Sequence, residues 1–372
     1  MARRKRRAAR LLVLLLAVGG AAVAYILYSR VTEPYRGYAG AEQFVDIPPG
    51  AGRTLIGERL IAAGVVRDQR TFRLALWLSG QARRLKAGEY RFEQPMTPMA
   101  VIDKIAKGDV FVIPVTFPEG LTIAEMSAIV EAHGVGPAAS FIAAAKDASL
   151  VRAIDPEARD LEGYLFPDTY RLSRHADAAE LVRLMVNRFE HVFTPELRDE
   201  AASRGLTIRR TVVLASIVEK ETARPDERPA IAAVYLNRLR IGMALQCDPT
   251  VIYALQRVGK YTGNLRREDL QVDSPYNTYR YPGMPPGPIA APGKASLEAA
   301  VRPAASDYLY FVSRNDGSHV FARTLDEHNR NVQKYQVQFF HDKRLEEAAG
   351  AGRAGRANGR PGKPGRPGRE VH

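Results

Sequence analysis

The feature that most constrains this chain is an uninterrupted apolar segment near its N-terminus. Residues 11–28 (LLVLLLAVGGAAVAYILY) carry no charge and directly follow a block of six basic side chains within residues 1–10. As a helix rising 1.5 Å per residue, eighteen residues span about 27 Å, close to the thickness of a bilayer's hydrocarbon core. The sequence therefore predicts a single transmembrane helix at residues 11–28.

The charge distribution predicts the orientation of that helix. Basic residues precede the segment, so the positive-inside rule leaves residues 1–10 in the cytoplasm and everything after Arg30 on the extracytoplasmic, or periplasmic, side of the cytoplasmic (inner) membrane. A cleavable signal peptide is the alternative, since Ala22-Val23-Ala24 offers a small-x-small site. The apolar run is longer than an ordinary signal-peptide core and ends in bulky residues, which favours a retained anchor.

The remaining charge argues against a nucleic-acid partner. The formal net charge is +13, but residues 1–10 and the Gly, Ala, Pro and Arg tract at the C-terminus together account for eleven of those charges. The part between the tails is close to neutral, so no basic folded surface is expected. Residues 341–372 are predicted to be a disordered basic tail. The one cysteine, Cys247, excludes an intramolecular disulfide.

An internal repeat organises the next part of the chain. After a predicted linker at residues 29–43, the segment starting at Phe44 (FVDIPPGAGRTLIGERLIAAGVV) resembles the segment starting at Ile113 (IPVTFPEGLTIAEMSAIVEAHGV). At a constant offset of 70 residues, Ile47, Pro48, Gly50 and Gly64 match Phe117, Pro118, Gly120 and Gly134. Each copy predicts a short strand, a Pro-x-Gly turn, a helix of about ten residues and a terminating glycine. Between the copies, residues 85–92 are predicted to form a strand and residues 98–107 a helix.

These elements predict an α+β fold. Strand, helix, helix and strand in a small unit are typical of LysM-like modules that bind cell-wall glycans, and such a module is expected at residues 44–112. A pair of packing units without a ligand is the alternative. Residues 113–340, whose first 24 residues repeat the start of the module, are expected to form a mixed α/β catalytic domain that carries its acid on a helix.

One glutamate is predicted to point into the core. Residues 207–222 (TIRRTVVLASIVEKET) have helical periodicity. At 100° per residue and with Ile217 at 0°, Glu221 falls at about 40°, within the apolar stripe, whereas Glu219 falls at about 200°. Burial against aliphatic groups raises a carboxyl pKa, as a general acid near neutral pH requires. The alternative is a buried ion pair of Glu221 with Arg238 or Arg240.

The blocks around this helix resemble the YceG-like family of endolytic murein transglycosylases. Loops rich in Tyr, Asn, Pro and Gly follow the helix, and such loops suit sugar binding. The resemblance runs from the apolar segment to about residue 338, departing at Cys247 and in the tail. The matching blocks are KAGEYRF (86–92), EGYLFPDTY (162–170), ASIVEKET (215–222), VYLNRLRIGM (234–243), LQCDPTVIY (245–253), YNTY (276–279), GMPPGPIAAPG (283–293) and YLYFV (308–312).

The resemblance implies an activity and partners. It implies internal cleavage of nascent peptidoglycan strands at the β-1,4 bond between N-acetylmuramic acid and N-acetylglucosamine, with Glu221 as the catalytic acid. The cleavage would leave 1,6-anhydro ends and limit strand length. The resemblance also implies peptidoglycan synthases as partners on the same membrane face. No metal or other cofactor is expected. The candidate substrate-binding residues are Gln246, Asp248, Thr250, Asn277, Tyr279 and Glu162. Asp248, which precedes Pro249, equally fits a helix N-cap.

The residues bear on three other classes of function. A hydrolase would use Asp248 as a base that activates water, and a non-catalytic scaffold would only bind glycan through the repeats. A penicillin-binding or lactamase-like serine enzyme is disfavoured, because Ser216 and Lys220 are spaced S-x-x-x-K and no K-T-G follows. The seven scattered histidines contain no H-E-x-x-H motif, so the sequence gives no support for a metal site.

Overall fold

The fold is known from a computed structural model that describes the backbone of residues 2–341 and 344 and the side chains from Arg10 onward. The predicted disordered tail thus lies almost entirely outside the described residues. The chain forms two compact units. Residues 1–114 with 171–175 make up the N-terminal unit, and residues 115–170 with those from 176 onward make up the C-terminal unit.

The first helix, α1, spans Ala2–Thr32. Its part from Arg10 to Thr32 is long and apolar enough to cross a membrane, and the large side chains of residues 11–28 are exposed. The helix runs four residues past the predicted span, into the segment predicted as a linker. Val31 is only 2% exposed and belongs to the core of the N-terminal unit. The apolar helix therefore ends inside the folded unit.

The elements of the N-terminal unit follow in the order strand, helix, helix, strand and helix, and the sequence did not predict the second of these helices. The unit contains β1 Gln43–Ile47, α2 Arg53–Ala62, α3 Gln69–Ser79, β2 Gly88–Phe92 and α4 Pro98–Lys107. Strands β1 and β2 pair antiparallel with Val45 opposite Tyr90. The bounds of α4 match the prediction, because Thr97 caps the Ala100 amide, Pro98 occupies the first turn and Gly108 ends the helix at φ 75°.

The repeat is present in the local structure. The second copy forms β3 Ile113–Thr116 and α5 Ile123–Ala132, and α5 has the same ten-residue length as α2. The turn glycines Gly50 and Gly120 have φ angles of 77° and 78°, and the terminating glycines Gly64 and Gly134 both have 69°. Only glycine adopts this left-handed region without strain, which explains why glycine occurs at these four positions in the two copies of the repeat.

The C-terminal unit is mainly helical. Its α-helices after α5 are α6 Ala138–Ala145, α7 Ala178–Val192, α8 Pro195–Ser203, α9 Ile208–Glu221, α10 Arg228–Arg240, α11 Asp248–Arg257, α12 Lys294–Val301 and α13 Leu325–Val332. Strand β4 Thr169–Leu172 pairs with β3, while β5 Tyr310–Ser313 and β6 His319–Ala322 form an antiparallel hairpin. Short 3₁₀ turns occupy Ala148–Val151 and Asp269–Gln271, and Gln333–Gln338 is a π-helical turn.

Helix α9 is the core of this unit. It contacts α8, α10, α11 and α12, and every residue from Thr211 to Val218 is buried. The helix is therefore buried on all sides rather than along one stripe. The buried Ser216 hydroxyl in the middle of the helix has two hydrogen-bond partners. It donates to the Val213 carbonyl at 2.7 Å and accepts the Ile289 amide at 3.1 Å. This packing fixes the direction of both glutamates at its end.

Candidate active site

Glu221 is the last residue of α9, and its carboxyl lies in a small network of hydrogen bonds. The Tyr235 hydroxyl of α10 donates to Glu221 Oε1 at 2.5 Å. The Cys247 thiol donates to the same oxygen at 3.1 Å. The chain leaves the helix at Thr222 in an extended conformation, which places the carboxyl at a helix end and not within a turn.

The environment tunes the ionisation of this carboxyl. Burial raises the pKa of Glu221, and the nearby charge of Asp248 raises it further, while the two hydrogen bonds oppose the shift. Burial also raises the pKa of Tyr235 and of Cys247 well above their ordinary values, so both remain neutral donors. The site therefore holds a carboxyl with a raised pKa next to two groups that remain protonated.

A cavity of about 310 Å³ opens at Glu221. It is lined by Glu221, Tyr235, Arg238, Leu245, Gln246, Asp248, Tyr279, Phe311 and His328. Most of these groups are polar or aromatic, as in sites that bind sugars. Gln246, Asp248 and Tyr279, three of the residues predicted from the sequence, thus meet Glu221 in one cavity.

Asp248 is the first residue of α11, and the N-cap position belongs to Cys247, which makes no side-chain capping bond. The alternative interpretation of Asp248 as the N-cap is therefore wrong. The exposed Asp248 carboxylate accepts a hydrogen bond from the Tyr279 hydroxyl at 2.6 Å. Gln246 has a φ angle of 51°, an uncommon conformation for a residue with a side chain. Such strain is frequent where a side chain is aimed into a functional site.

Thr250 and Asn277 do not line this cavity, because both are fully buried and bonded to neighbouring loops. Thr250 donates to the Cys247 carbonyl at 2.7 Å and pairs with the Thr278 hydroxyl at 2.9 Å. Asn277 donates to the Leu270 and Val272 carbonyls at 2.9 and 2.8 Å. They hold in place the loops that carry Gln246 and Tyr279.

Glu162 lies in a different place from Glu221. It lines a separate cavity of about 200 Å³, accepts the Ile123 amide at 3.1 Å and accepts the Tyr253 hydroxyl at 3.1 Å. Burial raises the pKa of Glu162 to about 8. Among the described residues, Glu162 is buried and Glu221 is half-buried, and both have a raised pKa. Only Glu221 shares a cavity with the other candidates.

A buried glutamate–arginine pair exists, but it involves Glu219. Arg228 lies 2.9 Å from Glu219 Oε1, and Glu219 Oε2 accepts the Gly293 amide at 2.9 Å. The side chains of Arg228 and Glu219 are 7% and 6% exposed. Arg238, which the alternative interpretation paired with Glu221, instead donates to the Leu309 and Leu245 carbonyls at 2.7 and 2.6 Å.

Several cavity residues were missed by the sequence analysis. Tyr235, Arg238 and Phe311 lie within matched blocks, whereas His328 lies beyond the last of them, and nothing in their local pattern distinguishes the four from core residues. The ring of Tyr235 packs edge-on against Phe311 at 5.9 Å between centroids, which links α10 to β5. For Tyr235, Arg238 and Phe311 the available signal was their presence in long matching blocks, and His328 had no such signal.

The fold and the site together define a class of protein: an α+β enzyme behind an apolar N-terminal helix, whose half-buried carboxyl faces a polar cavity. The sequence model of the YceG-like family matches residues 45–334, and the chain belongs to this family.

Characterised relatives carry a consistent name. The chain is 31% identical over 337 residues to the endolytic murein transglycosylase of Bacillus subtilis, covering 86% of this chain and 91% of that protein. It is 29% identical over 321 residues to the endolytic murein transglycosylase of Streptococcus pneumoniae, covering 78% of this chain and 58% of that protein. A crystal structure of a YceG-like protein from Listeria monocytogenes is 31% identical, with a TM-score of 0.55 over 78% of this chain and 99% of that one.

Proposed function

We propose that this chain is an endolytic lytic transglycosylase of peptidoglycan. It cleaves the β-1,4 bond between N-acetylmuramic acid and N-acetylglucosamine and leaves 1,6-anhydro-muramic ends. The observation that carries this proposal is the half-buried Glu221 carboxyl, whose pKa is raised and which faces a cavity lined by polar and aromatic side chains. The names of the curated relatives supply the substrate class.

In the first step, Glu221 acts as the acid. Because Oε1 accepts both Tyr235 and Cys247, the proton of the neutral carboxyl is best placed on Oε2. That proton passes to the glycosidic oxygen as its bond to C1 of the muramic acid breaks, and the N-acetylglucosamine leaves as an alcohol. The negative charge that develops on Glu221 is stabilised by the two neutral donors already in place.

In the second step, the same residue acts as the base. The carboxylate of Glu221 accepts the proton of the muramic acid 6-hydroxyl while that oxygen bonds to C1. The 1,6-anhydro ring closes and the acid is regenerated, so no water is consumed. One carboxyl suffices for this cycle, in contrast to glycosidases that need a pair.

Asp248, Tyr279 and Gln246 are proposed to hold the sugar and to stabilise the reacting centre. The Tyr279 hydroxyl fixes the Asp248 carboxylate at 2.6 Å, and the exposed carboxylate adds negative charge to the cavity that Glu221 lines. A positive charge developing at C1 would be attracted to it. Thr250 and Asn277 are proposed to act indirectly, by positioning the loops that carry Gln246 and Tyr279. Glu162 is proposed to bind the substrate outside the reacting centre.

The cellular setting is part of the proposal. Helix α1 anchors the chain in the cytoplasmic membrane with the N-terminus inside, and the two units act on the extracytoplasmic face. Cleavage there would limit the length of nascent strands beside the peptidoglycan synthases that make them. The N-terminal unit is proposed to be a LysM-like module.

Mass spectrometry of the cut ends tests this function. The full chain in detergent is incubated with long peptidoglycan strands, beside the variants Glu221→Gln and Glu219→Gln. Anhydro-muramic ends from the wild type and from Glu219→Gln, but not from Glu221→Gln, are expected. Reducing ends would make the protein a hydrolase, and no cut ends from a wild type that binds the strands would make it a scaffold.

A further inference from the structure

A further cavity lies on the N-terminal unit, remote in sequence from the proposed acid. It measures about 330 Å³ and is lined by Arg53, Thr54, Gln69, Phe72, Arg73, Leu76, Trp77 and Ala82. Two guanidinium groups and an indole ring therefore face one small space. Trp77 is 76% exposed and is the only tryptophan in the chain. An exposed tryptophan beside two arginines is typical of a binding surface.

The cavity begins beside the end of the apolar helix. Asp68 caps α3 by accepting the Thr71 amide at 2.9 Å, and its other oxygen lies 3.6 Å from Arg30 Nη1. The next residue, Gln69, starts α3 and lines the cavity. If α1 spans the bilayer, Arg30 lies at the level of the lipid headgroups. Gln69, which lines the cavity, is adjacent in sequence to Asp68, the ion-pair partner of Arg30.

The charge around the cavity has one sign. Residues 67–86 contain six basic side chains and a single acidic one, Asp68, although the chain between its two tails is nearly neutral. Leu78, next to Trp77, is 50% exposed. The exposed basic residues after Arg67 are Arg70, Arg73, Arg83, Arg84 and Lys86. Basic residues mixed with exposed tryptophan and leucine are characteristic of surfaces that contact anionic lipid.

The polar groups in the cavity fit a phosphate. Arg53 is held by a bond from its Nε to the Ala82 carbonyl at 3.2 Å, and it faces the same space as Arg73. Arginine pairs bind phosphate oxygens through several donors. Both amide atoms of Gln69 are buried and have no hydrogen-bond partner among the described residues. Buried amides are normally satisfied, so a ligand oxygen is a fitting partner for this one.

We propose that this cavity binds the phosphate headgroup of an anionic phospholipid and thereby holds the N-terminal unit against the membrane surface. The inference rests on the proposed membrane span of α1. Arg53 and Arg73 pair with the phosphate, Gln69 donates to it, and Trp77 with Leu78 enters the interfacial layer. An anionic cell-wall polymer is the other class of ligand that such a surface could bind. The position of the cavity at the end of α1 favours the lipid.

Fluorescence of Trp77 provides a direct test, because no other tryptophan contributes. The full chain is reconstituted in vesicles of phosphatidylcholine alone, or of phosphatidylcholine with an equal amount of phosphatidylglycerol, with lipids brominated in the upper acyl chain as quenchers. Quenching and a blue shift are expected in the anionic vesicles and should weaken as salt is raised. The double variant Arg53→Gln with Arg73→Gln should lose the quenching. The double variant Arg152→Gln with Arg183→Gln removes two exposed arginines of the C-terminal unit and should keep it.

The other outcomes overturn the proposal in distinguishable ways. Equal quenching in neutral and anionic vesicles would mean that Trp77 touches the bilayer without a headgroup site. A chain that floats with the vesicles but shows no quenching would exclude the site while leaving the anchor intact. If emission then responds to added peptidoglycan strands, the surface belongs to the cell-wall polymer. A chain that fails to float would overturn both the anchor and the site, and the cut-end assay remains independent of all of these results.

Discussion

The hydroxyl of Tyr235 lies 2.5 Å from Oε1 of Glu221 and donates a hydrogen bond to it. The two residues are on adjacent helices, α9 and α10, which contact one another. The bond stabilises the carboxylate form of Glu221 and opposes the effect of burial on its pKa. Tyr235 is therefore a positioning residue that sets both the direction and the acidity of the proposed catalytic acid.

Replacing Tyr235 by phenylalanine is expected to change both rate and pH dependence. Loss of a hydrogen bond to a charged group, worth about 1.5 kcal/mol, predicts a fall in kcat of roughly tenfold. The pKa of Glu221 should rise, because a hydrogen bond to its charged form is lost, so the alkaline limb of the activity profile moves to higher pH. The rate of anhydro-end formation against pH measures both effects.

The matched control for this experiment is Tyr253→Phe. Tyr253 is also a buried tyrosine that donates to a buried glutamate, but its partner is Glu162 in the separate cavity. The alkaline limb should stay in place in this variant. An equal displacement in both variants would mean that the effect is a general loss of packing and not a loss of the bond to Glu221.

The single cysteine offers a second test of the same site. Cys247 is 1% exposed, and burial raises its pKa well above the ordinary value, so the thiolate is scarce at neutral pH. We expect the folded chain to resist alkylation by iodoacetamide at pH 7.5, whereas the unfolded chain should be labelled completely. Mass spectrometry of the intact chain measures the labelled fraction. Rapid labelling of the folded chain would contradict the enclosed geometry around Glu221.

The sequence predicted the element that carries the proposed acid because that element depends on local information. Helical periodicity and apolar composition located α9 to within a residue at each end. The 100° rotation placed Glu219 opposite the apolar stripe, but its side chain is only 6% exposed. The sequence predicted that α9 would be buried along one apolar stripe, whereas the helix is buried on all sides. Glu219 consequently needs Arg228 as a partner, which a helical wheel does not reveal.

The partners of the acid depend on packing, which the sequence does not encode locally. Tyr235 lies fourteen residues from Glu221, within the buried run from Ile231 to Tyr235. No polar stripe marks which face of such a helix meets its neighbour. Thr250 and Asn277 illustrate the opposite problem: their polar side chains suit a sugar, but the folded loops use them to bind backbone carbonyls.

The Glu219–Arg228 pair predicts a separation between stability and catalysis. Both side chains are more than nine-tenths buried, so removing one leaves the other charge without its partner. Arg228→Ala is expected to destabilise the C-terminal unit by about 3–5 kcal/mol. The chain that remains folded should still form anhydro ends. Urea unfolding followed by circular dichroism measures the first effect, with the exposed pair Arg323 and Asp307 as a control whose loss should change stability by about 1 kcal/mol or less. Equal destabilisation in the two cases would contradict the buried pairing.

Glu162 predicts a stability that falls as the pH rises. Burial raises its pKa to about 8 in the folded chain from an ordinary value of 4.5, so the folded state holds a proton that the unfolded state has already lost. Its contribution is fully present below pH 4.5 and is lost progressively as the pH rises through 8. Glu162→Gln keeps the side-chain shape without the charge and should lessen this pH dependence of stability. From the size of the pKa shift, the variant is expected to be more stable than the wild type by a few kcal/mol, on the order of magnitude, at pH 8. Urea midpoints of both chains at pH 5 and pH 8 measure the difference. A wild type and a variant with the same pH dependence would show that Glu162 is ionised in the fold, and that its bonds to Tyr253 and Ile123 stabilise the carboxylate.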